Sequence, residues 1–152
     1  IDGNFRKDLE ETGMGYHLEV EVLEDACRKG LFTKAFCTTP GEALAMAEAG
    51  VDNIIIHFGN SSGGSTGSKT VIGLDGSAQR AAAIFDALAA RHSDLIYTCH
   101  GGAIESAAHF EALLEREPRF DGYVGGSSAE RLPVEEAVPA AARAFKSVAL
   151  KK

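Results

Sequence analysis

"VDNIIIHFG", residues 51–59, is the stretch that decides the fold. Three consecutive isoleucines leave no polar face, so a strand here must meet apolar material on both sides, as strands of a parallel sheet do. The residues before it agree. "TPGEALAMAEAG" offers Thr39 as a helix cap, Pro40 at the first helical position and Gly50 as terminator around an alanine-rich body. A helix running into a doubly buried strand is one βα unit of an α/β fold.

The same pattern repeats on both sides of this unit. Upstream, "YHLEVEVLEDACRK" (16–29) is periodic in two ways, because Leu18, Val20 and Val22 alternate while Tyr16, Val20, Leu23 and Cys27 share one helical face. Its ending favours a helix, since Arg28 and Lys29 suit the negative end of the macrodipole and Gly30 suits the position beyond it. "LFTKAFC" follows as a strand. Downstream, "SAQRAAAIFDALAARH" reads as a helix before the strand and turn "DLIYTCHGG", and "ESAAHFEALLERE" as a helix before the strand "FDGYVGGSS". "PVEEAVPAAARAFKSVAL" closes the chain as a helix that Pro139 kinks. No linker or change of composition interrupts the 152 residues, which read as a single domain, 1–152. The chain opens on Ile1 rather than Met and reads like the middle of a protein.

The overall balance excludes several classes of function. A formal net charge of -7 disfavours broad contact with nucleic acid or anionic lipid, since each phosphate needs a basic partner. Any anion has to be held locally. No apolar run reaches membrane-spanning length. Three widely spaced cysteines give neither a disulfide framework nor a metal signature, which points to a reducing, cytoplasmic setting.

Each strand ends in small or polar residues: Cys37 and Thr38, His57 to Gly59, Cys99 to Gly102, and Gly125 to Ser128. In parallel α/β folds ligands bind at these carboxyl ends, although glycines there also serve simply to turn the chain. "GNSSGGSTGSKT" (59–70) looks like a phosphate loop but fails the Walker A register, because Ser68 separates Gly67 from Lys69. With Gly59, Gly63 and Gly64 among serines it is either a flexible linker or a mobile lid over the strand ends; a compact domain favours the lid. In "YVGGSSAERLPVEEA", Gly125 and Gly126 allow close backbone approach, and Ser127 and Ser128 lead into a helical turn whose N–H groups suit a phosphate or carboxylate. Ser128 serves equally well as an ordinary helix cap. Arg131 either clamps an anion or pairs with Glu130 or Glu135.

In "TCHGG" the period of two puts only one of Cys99 and His100 on the ligand side, with Gly101 and Gly102 as the turn. His100 suits that side as acid, hydrogen-bond donor or metal ligand, and Cys99 suits a buried apolar place. His57 occupies the equivalent place one unit earlier, so two imidazoles are expected to face one cavity. Two imidazoles without a third ligand of known spacing give no zinc signature, so no metal ligands are assigned. His17, His92 and His109 fall on helices or helix ends, where a solvated position is the default.

The runs "IDGNFRKDLEETGMGYHLEVE", "AEAGVDNIIIHFGNSSGGSTGS", "CHGG" and "GGSSAERLPVE" resemble the phosphoenolpyruvate hydrolase-like TIM-barrel family. That family is also described as phosphonopyruvate hydrolases and TIM-barrel signal transduction proteins, and it includes the C-terminal barrel of Tm-1-like proteins. Relative to the family's usual wording the chain has Asn60 for Leu, Ala103 for Pro, Gly126 for Ala and Ala129 for Met. The resemblance implies the C-terminal half of a (β/α)8 TIM barrel, about strands 5 to 8 with their helices, since a whole barrel has about 250 residues. An isolated half leaves two sheet edges unpaired, so the chain is expected to be a fragment, a homo-oligomer, or one part of a complex with the N-terminal half. The implied function is a hydrolase or lyase for a small phosphorylated or phosphonylated carboxylic acid of the phosphoenolpyruvate or phosphonopyruvate type. His57, His100, Arg131 and Glu130 are the catalytic candidates, and the glycines and serines named above hold the anion. Any Mg²⁺ would draw its ligands mainly from the other half. The alternative is a noncatalytic ligand-binding or regulatory module that acts through a protein partner, as Tm-1-like proteins suggest.

Overall fold

A computed structural model of the chain describes residues 4–89 and 94–149. His92 lies outside them. Four parallel strands, β1 (Lys34–Cys37), β2 (Asn53–His57), β3 (Ile96–His100) and β4 (Gly122–Tyr123), form one sheet in sequential order. The helices are α1 (Asn4–Glu11), α2 (His17–Arg28), α3 (Pro40–Glu48), α4 (Leu74–Leu88), α5 (Ala107–Leu114) and α6 (Arg131–Lys146).

The register places Phe36 beside Ile55, Ile55 beside Thr98, and His57 beside His100. One face of the sheet therefore carries Ala35, Cys37, Ile54, Ile56 and Cys99, all buried in a core shared with Met46 of α3, Ile84 and Leu88 of α4, and Leu113 of α5. The three isoleucines divide as a strand must, with Ile54 and Ile56 under the helices and Ile55 buried on the opposite face. That second face carries Phe36, His57, Thr98 and His100. Its buried polar pair is satisfied internally, with Thr98 Oγ1 donating to Asn53 Oδ1 at 3.0 Å.

Helix α3 forms as its sequence dictates. Thr39 Oγ1 accepts from Glu42 N at 3.2 Å while Glu42 Oε2 accepts from Thr39 N at 3.3 Å, a complete capping box. Ahead of β1 and β2, Asp52 accepts from both the amide and hydroxyl of Thr33, at 2.7 and 3.0 Å. These bonds hold the Asp52 carboxyl below its ordinary range.

Some boundaries differ from the sequence reading. Helix α4 begins at Leu74, ahead of the expected Ser77, and α5 is limited to Ala107–Leu114. Strand β4 has two residues, because Val124 N still bonds Cys99 O but the chain then turns at Gly125 and Gly126. Helix α1 has no counterpart in the sequence reading. Helix α6 contains Pro139 and has no buried residue. Among the described residues, no helix is long and apolar enough to cross a membrane.

Candidate functional site

The carboxyl ends of β2 and β3, the loop after β2 and the start of α6 enclose a cavity of about 480 Å³. His57, Gly59, Asn60, Ser61, Thr66, Ser68, His100, Ser127 and Arg131 line it. The two imidazoles are neighbours in the sheet register, with ring centroids 5.3 Å apart. Phe36, on the adjacent strand, sets its ring edge to face against both, at 5.3 and 5.4 Å.

Backbone atoms orient each imidazole. His57 Nδ1 accepts from Gly59 N at 3.0 Å, and His100 Nδ1 lies 2.7 Å from the carbonyl oxygen of Val124. Between them Gly101, at φ +77°, occupies a place where a Cβ would collide with the carbonyl oxygen of Gly59, so no side chain fits this turn. Gly126 is tight for another reason. A Cβ there would stand 3.1 Å from His100 Cε1, so the glycine leaves room for the ring.

The loop after β2 is strapped across the strand ends. Ser62 N donates to Gly102 O at 3.0 Å, and Ser62 Oγ donates to Glu105 Oε1 at 2.5 Å. From the other side, Arg131 donates to the carbonyls of Gly63 at 3.0 Å and Ser62 at 3.4 Å while pairing with Glu135 at 3.1 Å. Glu135 in turn accepts from the amide and hydroxyl of Ser65, at 2.8 and 3.0 Å. These bonds, the Ser65 amide first and Arg131 next, hold the Glu135 carboxyl below its ordinary range.

Of the candidates, His57, His100, Arg131, Gly59 and Ser127 come together at this cavity. Gly101 and Gly126 support the imidazoles from behind, and Gly102 and Gly63 anchor the loop through their carbonyls. Gly64 and Ser128 face a larger groove of about 960 Å³ beside α6. Ser128 Oγ is engaged there with the Tyr123 hydroxyl at 2.8 Å. Glu130 is exposed, Gly125 is exposed, and neither lines the cavity. Of the two carboxylates that the sequence offered Arg131, the one it pairs with is Glu135. The end of β1 is not part of the cavity: Cys37 is buried in the core, where loss of hydration pushes its thiol up to about 12, and Thr38 is spent on Glu42. Cys99 is also buried under the helices, its thiol pushed up to about 12 by the same cause.

Sequence reasoning missed Phe36 beside the imidazoles; Asn60, Ser61, Thr66 and Ser68 belong to the loop it expected over the strand ends, but it assigned none of them as a site residue. The alternation of β1 already places Phe36 opposite the core-facing Cys37, but only the strand register brings it to the imidazoles. No carboxylate lines the cavity, and among the described residues no group of three His, Cys, Asp or Glu side chains could hold a metal. The oxygens that this lining offers Mg²⁺ are neutral hydroxyls and an amide, without the carboxylate by which proteins usually hold that ion.

A family model described as phosphoenolpyruvate hydrolase-like matches residues 1–148. The chain belongs to the phosphoenolpyruvate hydrolase-like family. The ToMV resistance protein Tm-1(GCR237) of Solanum lycopersicum is 47% identical over 99% of this chain and 20% of its own length. The ToMV susceptible protein tm-1(GCR26) of the same plant matches at the same identity and coverage. A relative named as a transcriptional regulatory protein, y4pA of Sinorhizobium fredii, is 36% identical over 97% of this chain and 24% of its own length. The chain thus spans about a fifth to a quarter of the relatives it matches. Among solved structures, a nitroalkane oxidase from Streptomyces ansochromogenes aligns with 72% of this chain and 30% of its own, at a TM-score of 0.45 and 23% identity.

Proposed function

We propose that the cavity at the ends of β2 and β3 binds a small phosphorylated or phosphonylated carboxylic acid and cleaves its P–O or P–C bond with water. The observation that carries this reading is the convergence of His57, His100 and Arg131 on one polar cavity in a member of the phosphoenolpyruvate hydrolase-like family. Arg131 supplies a fixed positive charge with a fork of donors suited to an oxyanion. Ser61, Thr66, Ser68 and Ser127 add hydroxyls, and Asn60 an amide. An imidazole nitrogen can either donate or accept a proton. Glu130 stays outside this proposal because it does not line the cavity.

In this reading the four-stranded sheet is the second half of a (β/α)8 barrel, completed by a separate half or by another copy of the chain. Sequential parallel order supports it, as do Phe36 and Ile96, which are 46% and 38% exposed on the face turned away from the helices. The test is phosphate release from phosphoenolpyruvate and phosphonopyruvate by the full chain, with and without His100→Ala. Release that the substitution abolishes supports the reading; absence of both release and binding by the unsubstituted protein ends it.

A second reading, a noncatalytic module that acts through a protein partner, draws on α6. Val134, Val138 and Phe145 recur along it at helical spacing and are exposed, Phe145 at 81%. The equal likeness to tomato proteins named for resistance and for susceptibility does not distinguish the two readings. Retention of a partner by a protein that turns over neither substrate favours the module.

A further inference from the structure

The two imidazoles are held in opposite tautomers. An amide can only donate, so the hydrogen bond from Gly59 N at 3.0 Å requires a lone pair on His57 Nδ1 and places the neutral ring's proton on Nε2. A carbonyl can only accept, so the 2.7 Å contact with Val124 O requires a proton on His100 Nδ1, which in the neutral ring leaves the lone pair on Nε2. Both fixing partners are backbone atoms of the strand ends, so the assignment is built into the fold. The rings line one cavity with their centroids 5.3 Å apart, and Arg131 lines it with them. His57 thus offers a donor and His100 an acceptor.

We propose that this pair selects an oxyanion that still carries one proton. An anionic oxygen accepts from His57 Nε2–H and from Arg131, while a hydroxyl on the same centre donates to His100 Nε2. Hydrogenphosphate and singly protonated phosphonates or phosphate esters satisfy both imidazoles. Sulfate has no proton to give and leaves the His100 lone pair facing a negative oxygen. The inference rests on the reading of the cavity as an oxyanion site and adds a specificity to it, with His100 as the discriminating residue.

The tautomers can be read directly. In the full chain labelled with ¹⁵N-histidine, long-range ¹H–¹⁵N spectra at pH 8, where free imidazole is neutral, should show His57 protonated on Nε2 and His100 on Nδ1. His57→Gln and His100→Gln assign the signals. Calorimetric titrations at matched ionic strength should then show inorganic phosphate binding about tenfold or more tighter than sulfate, the cost of one unmet polar group. In His100→Gln the side-chain amide can turn its NH₂ toward either anion, so the preference should vanish. Identical tautomers, or equal affinities in the unsubstituted protein, overturn the inference while leaving an oxyanion site. Binding of neither anion overturns the oxyanion reading itself. If His100→Gln does not fold, the tautomers and the two titrations of the unsubstituted chain still decide the matter.

Discussion

The two faces of the sheet are made by the same strands, one residue apart, and they serve different ends. On the helix side Ile54, Ile56, Cys37 and Cys99 are fully buried, and their contribution is packing. On the other side Phe36, His57 and His100 meet as three rings around a polar cavity. The period of two separates the packed face from the face that lines the cavity. A substitution at Cys99 is felt by the fold; on the proposed function, one at its neighbour His100 is felt by the ligand.

The sharpest test of this division is Ile56→Ala. Removing a fully buried side chain from a packed core should lower unfolding free energy by about 2–5 kcal/mol, measured by urea titration, with the histidine tautomers of the folded protein unchanged. If His57→Gln destabilised as much, the division between the faces would fail. Next in size is Arg131→Met. Loss of a charged donor set should weaken phosphate binding by roughly ten- to a hundredfold, as expected for hydrogen bonds to charged groups, measured by calorimetry. Thr39→Ala removes the capping box of α3, which does not line the cavity, and should cost about 1 kcal/mol of stability with phosphate affinity intact.

The smallest expected effect is on pH. The folded state depresses the Glu135 carboxyl, so its contribution is present above the ordinary carboxylate range and is lost as pH falls through the depressed value. Hydrogen exchange at Ser65, whose amide Glu135 accepts, should therefore accelerate in acid beyond the intrinsic rate change. Glu135→Gln should remove that extra acceleration.

Much of this division was legible in the sequence. The isoleucine run fixes a strand buried on both faces, and the residue after it, His57, then falls on the face opposite Ile56. "TCHGG" repeats the arrangement, with Cys99 inward to the helices and His100 toward the cavity. That His57 and His100 face one cavity was legible from their equivalent places in successive units, but the exact pairing was not, because nothing local aligns Phe36 with Ile55; register is a property of the assembled sheet. The strap was hidden for the same reason. Arg131 and Gly63 are 68 residues apart, and the sequence left Arg131 open between an anion, Glu130 and Glu135. Glu130 looked equivalent to its neighbour, but the turn that winds from Gly126 into α6 leaves its side chain in solvent while Arg131 reaches back over the loop.

That reach makes α6 a handle on the cavity's entrance. The arginine that faces the cavity also grips the carbonyls of Ser62 and Gly63, and one turn along the same helix Glu135 grips Ser65. Whatever pulls the start of this helix aside must break those bonds and unfasten the loop after β2. On the proposed function, thermodynamic reciprocity then joins occupancy of the cavity to the seating of α6, whose first residue lines it.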